Sequence, residues 1–273
     1  MGLGAIGGSV AWRARLAGVP VVLGYTPDPA EGDAALEADA VTALAPSAEA
    51  AARHVQLLVL ATPPRATLDL IELLADRIEA GTILSDVASV KAPIMALARA
   101  RGLSRCFVGA HPLAGTHGSG FAFATPDLLR GCLVYLCYDA DRGEDAGRRV
   151  AAFWSTVMEA TPVPVDPSEH DRQLAWTSHL PQAVAYALAR VLADRGYPAS
   201  AFGSGARDTT RLAASRPELW LEIFLQNREP ILQALDAAGA ELAVVRDRIA
   251  DGDEAALIAL LTPAADFRRS LER

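Results

Sequence analysis

A run of small residues at the start of the chain constrains its fold more than anything else in it. Gly2-Leu3-Gly4-Ala5-Ile6-Gly7 is a G-x-G-x-x-G that leads straight into an Ala-rich helical stretch, Gly7–Leu16. Gly2 permits a tight turn, Gly4 lets the backbone approach a pyrophosphate, and Gly7 lets the helix lie close against a sheet. The helix N-terminus then offers free N–H groups to an anion. Glycine is common in turns, so such a pattern counts only in context. Here the context is a β-α-β rhythm. Val19–Tyr25, Val55–Thr62, Thr82–Asp86, Cys106–His111 and Cys132–Tyr138 are short, β-branched and continuously apolar, as strands covered on both faces should be. Ala66–Glu79 and Pro93–Arg101 read as helices between them, and a last strand is expected near Pro162–Val165. The expected class is α/β: a Rossmann-type, doubly wound parallel sheet.

Two features depart from that pattern. The fingerprint should follow a strand, yet only Met1 precedes Gly2. The first strand, normally central, is therefore missing from the expected sheet, and the true start is expected upstream of Met1. The second departure concerns the acid that should bind a ribose roughly 20 residues further on. The next strand ends Gly24-Tyr25-Thr26, without one. Thr26 can bond a ribose hydroxyl, and Asp28 is the substitute candidate. No Lys or Arg occurs between Arg15 and Arg53, so this loop offers no local partner for a 2′-phosphate. NAD is the expected cofactor, with NADP left open. The expected contacts are Gly2, Gly4, Ala5, Ile6, Gly7, Thr26 and Asp28, with Thr62 and Pro63 at the end of the following strand.

From Asp166 the rhythm becomes helical. Leu174, Leu180, Val184, Leu188 and Val191 follow a spacing near 3.6. Ser215 and Glu218 suggest a capping box that opens a long helix through Phe224, Ile231, Leu235, Ala238, Leu242, Val245 and Ile249. Pro230 should kink it. A final helix is expected over Asp253–Ser270. This divides the chain into 1–166, a dinucleotide-binding domain, and 167–273, an all-α domain whose broad apolar faces suggest pairing with a second subunit. With 273 residues and 51% apolar content, two cores are feasible and wholesale disorder is excluded. A net charge of −8 argues against nucleic acid or an anionic membrane as partner. Three unclustered cysteines show neither a disulfide framework nor metal-ligand spacing, and they suit a reducing, cytoplasmic compartment. No apolar run could span a bilayer, and no secretory signal is visible.

Three further stretches carry chemistry. Ser85-Asp86-Val87-Ala88-Ser89-Val90-Lys91 leaves a strand and enters a helix. Ligands of open α/β sheets bind at the carboxyl ends of strands, so Ser89 can donate to one, although it would equally suit a helix cap. Val108-Gly109-Ala110-His111-Pro112 ends a buried strand at the same edge and precedes a Gly-rich loop with Thr116 and His117. A histidine there is the natural general base near neutral pH. In the helical half, Arg211 has a planar fork suited to a carboxylate, and Asp208 three residues earlier could orient it or merely form a surface ion pair. His179 and Trp220 lie in the same half. His54 has no assigned role, the cysteines read as core fillers, and His170 reads as a helix-start residue.

Together, GLGAIGGS (2–9), SDVASVK (85–91), GAHPLAGT (109–116), GSGFAFATPDLLRG (118–131), HDRQLAWTSHLP (170–181), GARDTTRLAASRPELW (205–220) and IFLQNRE (223–229) resemble the prephenate/arogenate dehydrogenase family of tyrosine biosynthesis. The resemblance implies a Rossmann-type domain followed by a helical dimerisation domain, and oxidative decarboxylation of prephenate or arogenate with hydride transfer to NAD or NADP. On the matching positions, His111 would take the substrate hydroxyl proton and Ser89 would bond the same hydroxyl or the cofactor. Arg211 would hold a substrate carboxylate with support from His179, and Asp208, Thr116, His117 and Trp220 would complete the site. The family often has Glu at the position of His117 and a second His at that of Gln182. These departures keep open a relative acting on a modified prephenate in secondary metabolism. The missing strand keeps open a dimeric module that has lost cofactor binding. No fused mutase or regulatory domain is expected.

Overall fold

The computed structural model describes residues 1–115 and 118–272. The first half alternates strands and helices: α1 (Ala5–Leu16), β1 (Leu23–Gly24), α2 (Pro29–Glu37), β2 (Ala43–Leu44), α3 (Ala48–Ala51), β3 (Leu57–Leu60), α4 (Pro64–Leu74), β4 (Ile83–Asp86), α5 (Ala92–Ala100), β5 (Phe107–Pro112), β6 (Leu133–Cys137), α6 (Glu144–Ala152) and β7 (Thr161–Pro164). Every residue of β4 and β5 is buried, the polar Ser85, Asp86 and His111 included, which is why the rest of both strands is apolar. Leu60, Leu84, Val108 and Leu136 lie fully inside, and burying each such side chain contributes roughly 1.5–3 kcal/mol.

The sheet is in two parts. β1 and β2 form one parallel pair, and β3-β4-β5-β6-β7 form the other part in that order. Between them lies the backbone of Met1 and Gly2. The Met1 amine donates to the Val59 carbonyl (2.7 Å), and the Ala61 amide donates to the Met1 carbonyl (2.7 Å). The Gly2 amide donates to the Tyr25 carbonyl at 2.8 Å. These two residues thus bond to both parts where a central strand is expected. Burial pushes the Met1 amine down to about 5.

The expectation of an all-parallel sheet is corrected at one pairing. β6 runs antiparallel to β5, with His111 opposite Tyr135, while β7 is parallel to β6. The connection from β5 to β6 has no crossover helix among its described residues, only the short turn Phe121–Phe123, so the chain re-enters from the edge it left. The next connection contains α6 and restores the parallel direction.

The second half is helical: α7 (Pro167–Leu174), α8 (Leu180–Ala193), α9 (Ser204–Thr210), α10 (Pro217–Gln226), α11 (Arg228–Asp251) and α12 (Glu254–Ser270). The expected capping box at Ser215 does not form. Pro217, whose fixed φ suits a first helical position, sets the start of α10, and Ser215 instead accepts the Tyr186 hydroxyl through its carbonyl. The break expected at Pro230 falls at Asn227, because the proline ring excludes the helical carbonyl four residues earlier. Pro230 itself then sits harmlessly in the first turn of α11. Along α11 and α12 the side chains of Leu232, Leu242, Ile249, Ile258 and Phe267 are exposed. Among the described residues, no helix is long and apolar enough to cross a membrane.

Candidate active site

His111 is the penultimate residue of β5, at the carboxyl edge of the sheet, and is buried. Its Nδ1 lies 2.8 Å from Nε2 of His170, a fully buried residue of α7. The His170 ring stands edge-on to Tyr135 of the neighbouring strand β6, with centroids 5.5 Å apart. Its other nitrogen, Nδ1, is 2.7 Å from Oδ1 of Asp171. Asp171 is anchored in turn: Lys91 N–H donates to Oδ1 and Ala92 N–H to Oδ2, each at 2.8 Å. A carboxylate of the helical half therefore caps α5, which has no cap from its own preceding side chain. Sequence reading takes His170 for a helix-start residue; the fold makes it the nearest polar partner of His111.

His179 reaches the same cluster through a local irregularity. Between α7 and α8, residues Ala175–His179 widen into a π turn, which shifts the helical register. His179 Nδ1 lies 3.1 Å from Nδ2 of Asn227, the residue at the α10–α11 break, and that same Nδ2 donates to the Asp171 carbonyl at 2.7 Å. Half-buried Trp220 stands edge-on to His179 at 5.9 Å. Behind His111, Lys91 and Asp86 form a fully buried ion pair. A side chain at Gly109 would come within 3.1 Å of the Lys91 stem, so glycine makes room for the pair against β5. Burial raises the Asp86 carboxyl against the pull of Lys91.

Burial lowers His111 well below the ordinary histidine value, helped by the fields of His170, Lys91 and His179. Burial likewise brings His179 down to about 4, although Asp171 opposes it. Both imidazoles are thus neutral near pH 7. Ser89, half-buried in the loop after β4, has no hydrogen bond to a described residue and is free to bond a ligand.

The cofactor side is built around three helix N-termini at this edge. α5 is capped by Asp171, and α4 by Glu222 of α10, which accepts the Arg65 N–H at 2.9 Å. α1 starts at Gly4 with no side-chain cap. A Cβ at Gly4 would find no atom nearer than 3.9 Å, so the open N–H groups face space. Gly2 adopts φ +81°, and a Cβ there would lie 2.3 Å from the Ala61 carbonyl oxygen, so the turn admits only glycine. This open, positively polarised helix end suits a diphosphate. Ala5 and Ile6 open α1; Thr62 bonds Thr67 (2.9 Å), and Pro63 precedes α4.

Of the first two carboxylates after β1, one caps a helix and the other lies beside the glycine turn. Asp28 is the N-cap of α2 and accepts the Ala30 N–H at 2.9 Å. Glu31 lies beside the glycine turn, with Oε1 3.9 Å from the Cβ position of Gly4 and Oε2 accepting the Thr26 hydroxyl at 3.1 Å. The signal was present as Asp28-Pro29-Ala30-Glu31, a capping-box spacing that turns the glutamate back towards the helix start. The guanidinium of Arg15 pairs with Asp39 (3.0 Å). An open helix end and a carboxylate for a ribose diol fit NAD.

Not every expected residue joins the cluster. Arg211 and Asp208 are exposed and pair neither with each other nor with the buried histidines. Their segment is held from α8, where buried Gln182 donates to the Leu212 carbonyl at 2.7 Å. His54 is exposed beside Glu79. Thr116 and His117 lie outside the described residues.

Comparison with known proteins agrees with this fold. The family described as prephenate dehydrogenase, nucleotide-binding domain, matches residues 11–160, and that described as prephenate dehydrogenase, dimerization domain, matches residues 166–263. A cyclohexadienyl dehydrogenase of Zymomonas mobilis is 32% identical, the alignment covering 93% of this chain and 89% of that protein. The structure of Aquifex aeolicus prephenate dehydrogenase with hydroxyphenyl propionate and NAD+ superimposes with a TM-score of 0.91 at 27% identity, covering 99% of this chain and 96% of that one. Synechocystis arogenate dehydrogenase gives 0.82 at 26% identity, covering 99% and 98%.

Proposed function

The chain belongs to the prephenate dehydrogenase family, and from that premise we propose which residues carry its reaction. It is an NAD(P)-dependent dehydrogenase that oxidatively decarboxylates prephenate, arogenate or both, in tyrosine biosynthesis. Bound NAD supplies the acceptor for the hydride. His111 takes the proton of the 4-hydroxyl as the C4 hydrogen leaves with its electron pair. The electrons of the bond to the ring carboxylate then enter the ring, carbon dioxide departs, and aromatisation drives the step. His111 returns its proton to the phenolate oxygen. Ser89 bonds the reacting hydroxyl and holds it towards His111. His179 and Arg211 receive substrate carboxylates, with Asp208 and Trp220 in support, and Thr116 and His117 keep the substrate-binding roles that the resemblance implies. Gly2, Gly4, Ala5, Ile6, Gly7, Thr62 and Pro63 cradle the dinucleotide, and Thr26 and Glu31 bond its ribose, with Asp28 holding α2 in place.

The observation that carries this reading is a buried, neutral histidine at the carboxyl edge of the sheet, with the free Ser89 hydroxyl in the loop of the adjoining strand. We divide the chain at 166/167. The exposed apolar side chains of α11 and α12, together with the match to a dimerization domain, support a homodimer through the helical half. Three free thiols suit the cytoplasm. The test is NADH formation from prephenate with NAD, repeated with arogenate and with NADP. Turnover in at least one combination is expected; none in all four would overturn the assignment.

A further inference from the structure

We infer that Asp171, His170 and Asn227 form a buried frame that assigns opposite tautomers to the two histidines of the site. In the neutral pair, His111 holds its proton on Nδ1 and offers a bare Nε2, whereas His179 holds its proton on Nε2 and offers an N–H. The inference rests on the reading of His111 as the base, and it says what makes that base and its neighbour different.

The assignment starts from groups that cannot change role. The backbone N–H groups of Lys91 and Ala92 can only donate, so both oxygens of Asp171 accept. His170 Nδ1, 2.7 Å from one of them, is therefore the donor. With His170 taken as a neutral imidazole beside the Asp171 carboxylate, its one proton sits on Nδ1, and its Nε2 is an acceptor. His111 Nδ1, 2.8 Å away, must donate to it, and the remaining nitrogen of His111 is bare. The second histidine is read the same way. The Asp171 carbonyl can only accept, so the Asn227 atom 2.7 Å from it is the amide nitrogen. That nitrogen also faces His179 Nδ1 at 3.1 Å, which makes Nδ1 an acceptor and leaves the proton on Nε2.

The consequence is a division of labour. Nε2 of His111 can take a hydroxyl proton at once, and the imidazolium formed still donates through Nδ1 to His170, with the Asp171 charge behind it. Nε2–H of His179 can only give a hydrogen bond to a substrate oxygen. The charged and titratable groups around His111 are Lys91 with Asp86, His170 with Asp171, and His179, and Tyr135 lies opposite it on β6. His170 and Asp171 act through His111 and are positioning residues. In serine proteases, breaking the analogous carboxylate hold on a histidine puts its proton on the wrong nitrogen and costs about 10⁴-fold in rate.

The test is nitrogen NMR of the full, ligand-free chain labelled at its five histidines, near neutral pH, with signals assigned by single His→Asn variants. The expected spectrum has His111 protonated at Nδ1 and bare at Nε2, and His179 the reverse. His170→Gln keeps an acceptor for His111, so it should preserve that tautomer and hold kcat within about ten-fold. His170→Leu removes the acceptor; the His111 proton should move to Nε2 and kcat should fall about 10²- to 10⁴-fold with KM little changed. A wild-type spectrum with the His111 proton on Nε2, or the His179 proton on Nδ1, overturns the inference. So does a folded His170→Leu variant with wild-type kcat. If that variant does not fold, the wild-type spectrum decides alone. The spectrum needs no substrate, so failure of the frame is distinguishable from failure to turn over prephenate or arogenate.

Discussion

Helices α4 and α5 begin with their free N–H groups held by carboxylates from the helical half, Glu222 and Asp171, whereas α1 begins at Gly4 with nothing. The two ends of one cleft therefore differ in kind. At the catalytic end Asp171 engages both of its oxygens and the His170 ring both of its nitrogens, which fixes the orientation of His111. At the cofactor end it leaves donors open, with Glu31 nearby and no side chain to fill the space. Preorganised chemistry needs satisfied groups, while binding needs unsatisfied ones; the same structural unit, a helix N-terminus, serves both by being capped or not.

The largest effect should come from the catalytic end. His111→Asn is expected to lower kcat about 10²- to 10⁴-fold while leaving the dissociation constant for NAD unchanged. Parallel loss of NAD affinity would show that the two ends are not separable. Next, Asp171→Ala strands two backbone N–H groups and the His170 ring, and should cost about 3 kcal/mol in urea denaturation. Glu222→Ala at the half-exposed α4 cap should cost about 1 kcal/mol. Equal losses would mean that the buried frame has no special weight.

The comparison also has a pH signature. The unfolded chain takes a proton on His179 near pH 6.5 and the folded chain only near 4, so protons favour unfolding across that window. Stability is full above pH 6.5 and should fall by about 2 kcal/mol on going to pH 5 from His179 alone. His111, also lowered, adds to the fall. Denaturation midpoints at pH 7 and 5 measure it, and His179→Gln should flatten the profile. The smallest effect belongs to the cofactor end: Glu31→Gln should raise the NAD dissociation constant about three-fold and NADP's less, read by titration calorimetry. An unchanged preference between the two would remove Glu31 from the ribose site.

Where the sequence was readable, the signals were local. The glycine turn, the strand runs and the switch to helices at Asp166 each follow from neighbours within a few residues. His111 was legible because a strand end at the carboxyl edge is a recognisable place. His170 was not, because its meaning lies in a partner 59 residues away, and that of Asp171 in backbone groups 80 and 79 residues away. Asp28 stands at the linear distance expected of a ribose acid; in the structure it caps α2, and Glu31 lies beside the glycine turn. Pro230 marks an interruption, but its ring excludes the carbonyl four residues earlier, so the helices part at Asn227 and not at the proline.

The sequence by itself therefore determined the two-part architecture, the dinucleotide turn and the histidine at the strand end, since periodicity and turn chemistry are short-range. Only the tertiary structure decided which helix ends are capped, which carboxylate meets the glycine turn, and which nitrogen of each histidine carries the proton. Those depend on hydrogen bonds between groups far apart in the chain, and such a bond leaves no mark in the sequence until folding brings its two ends together.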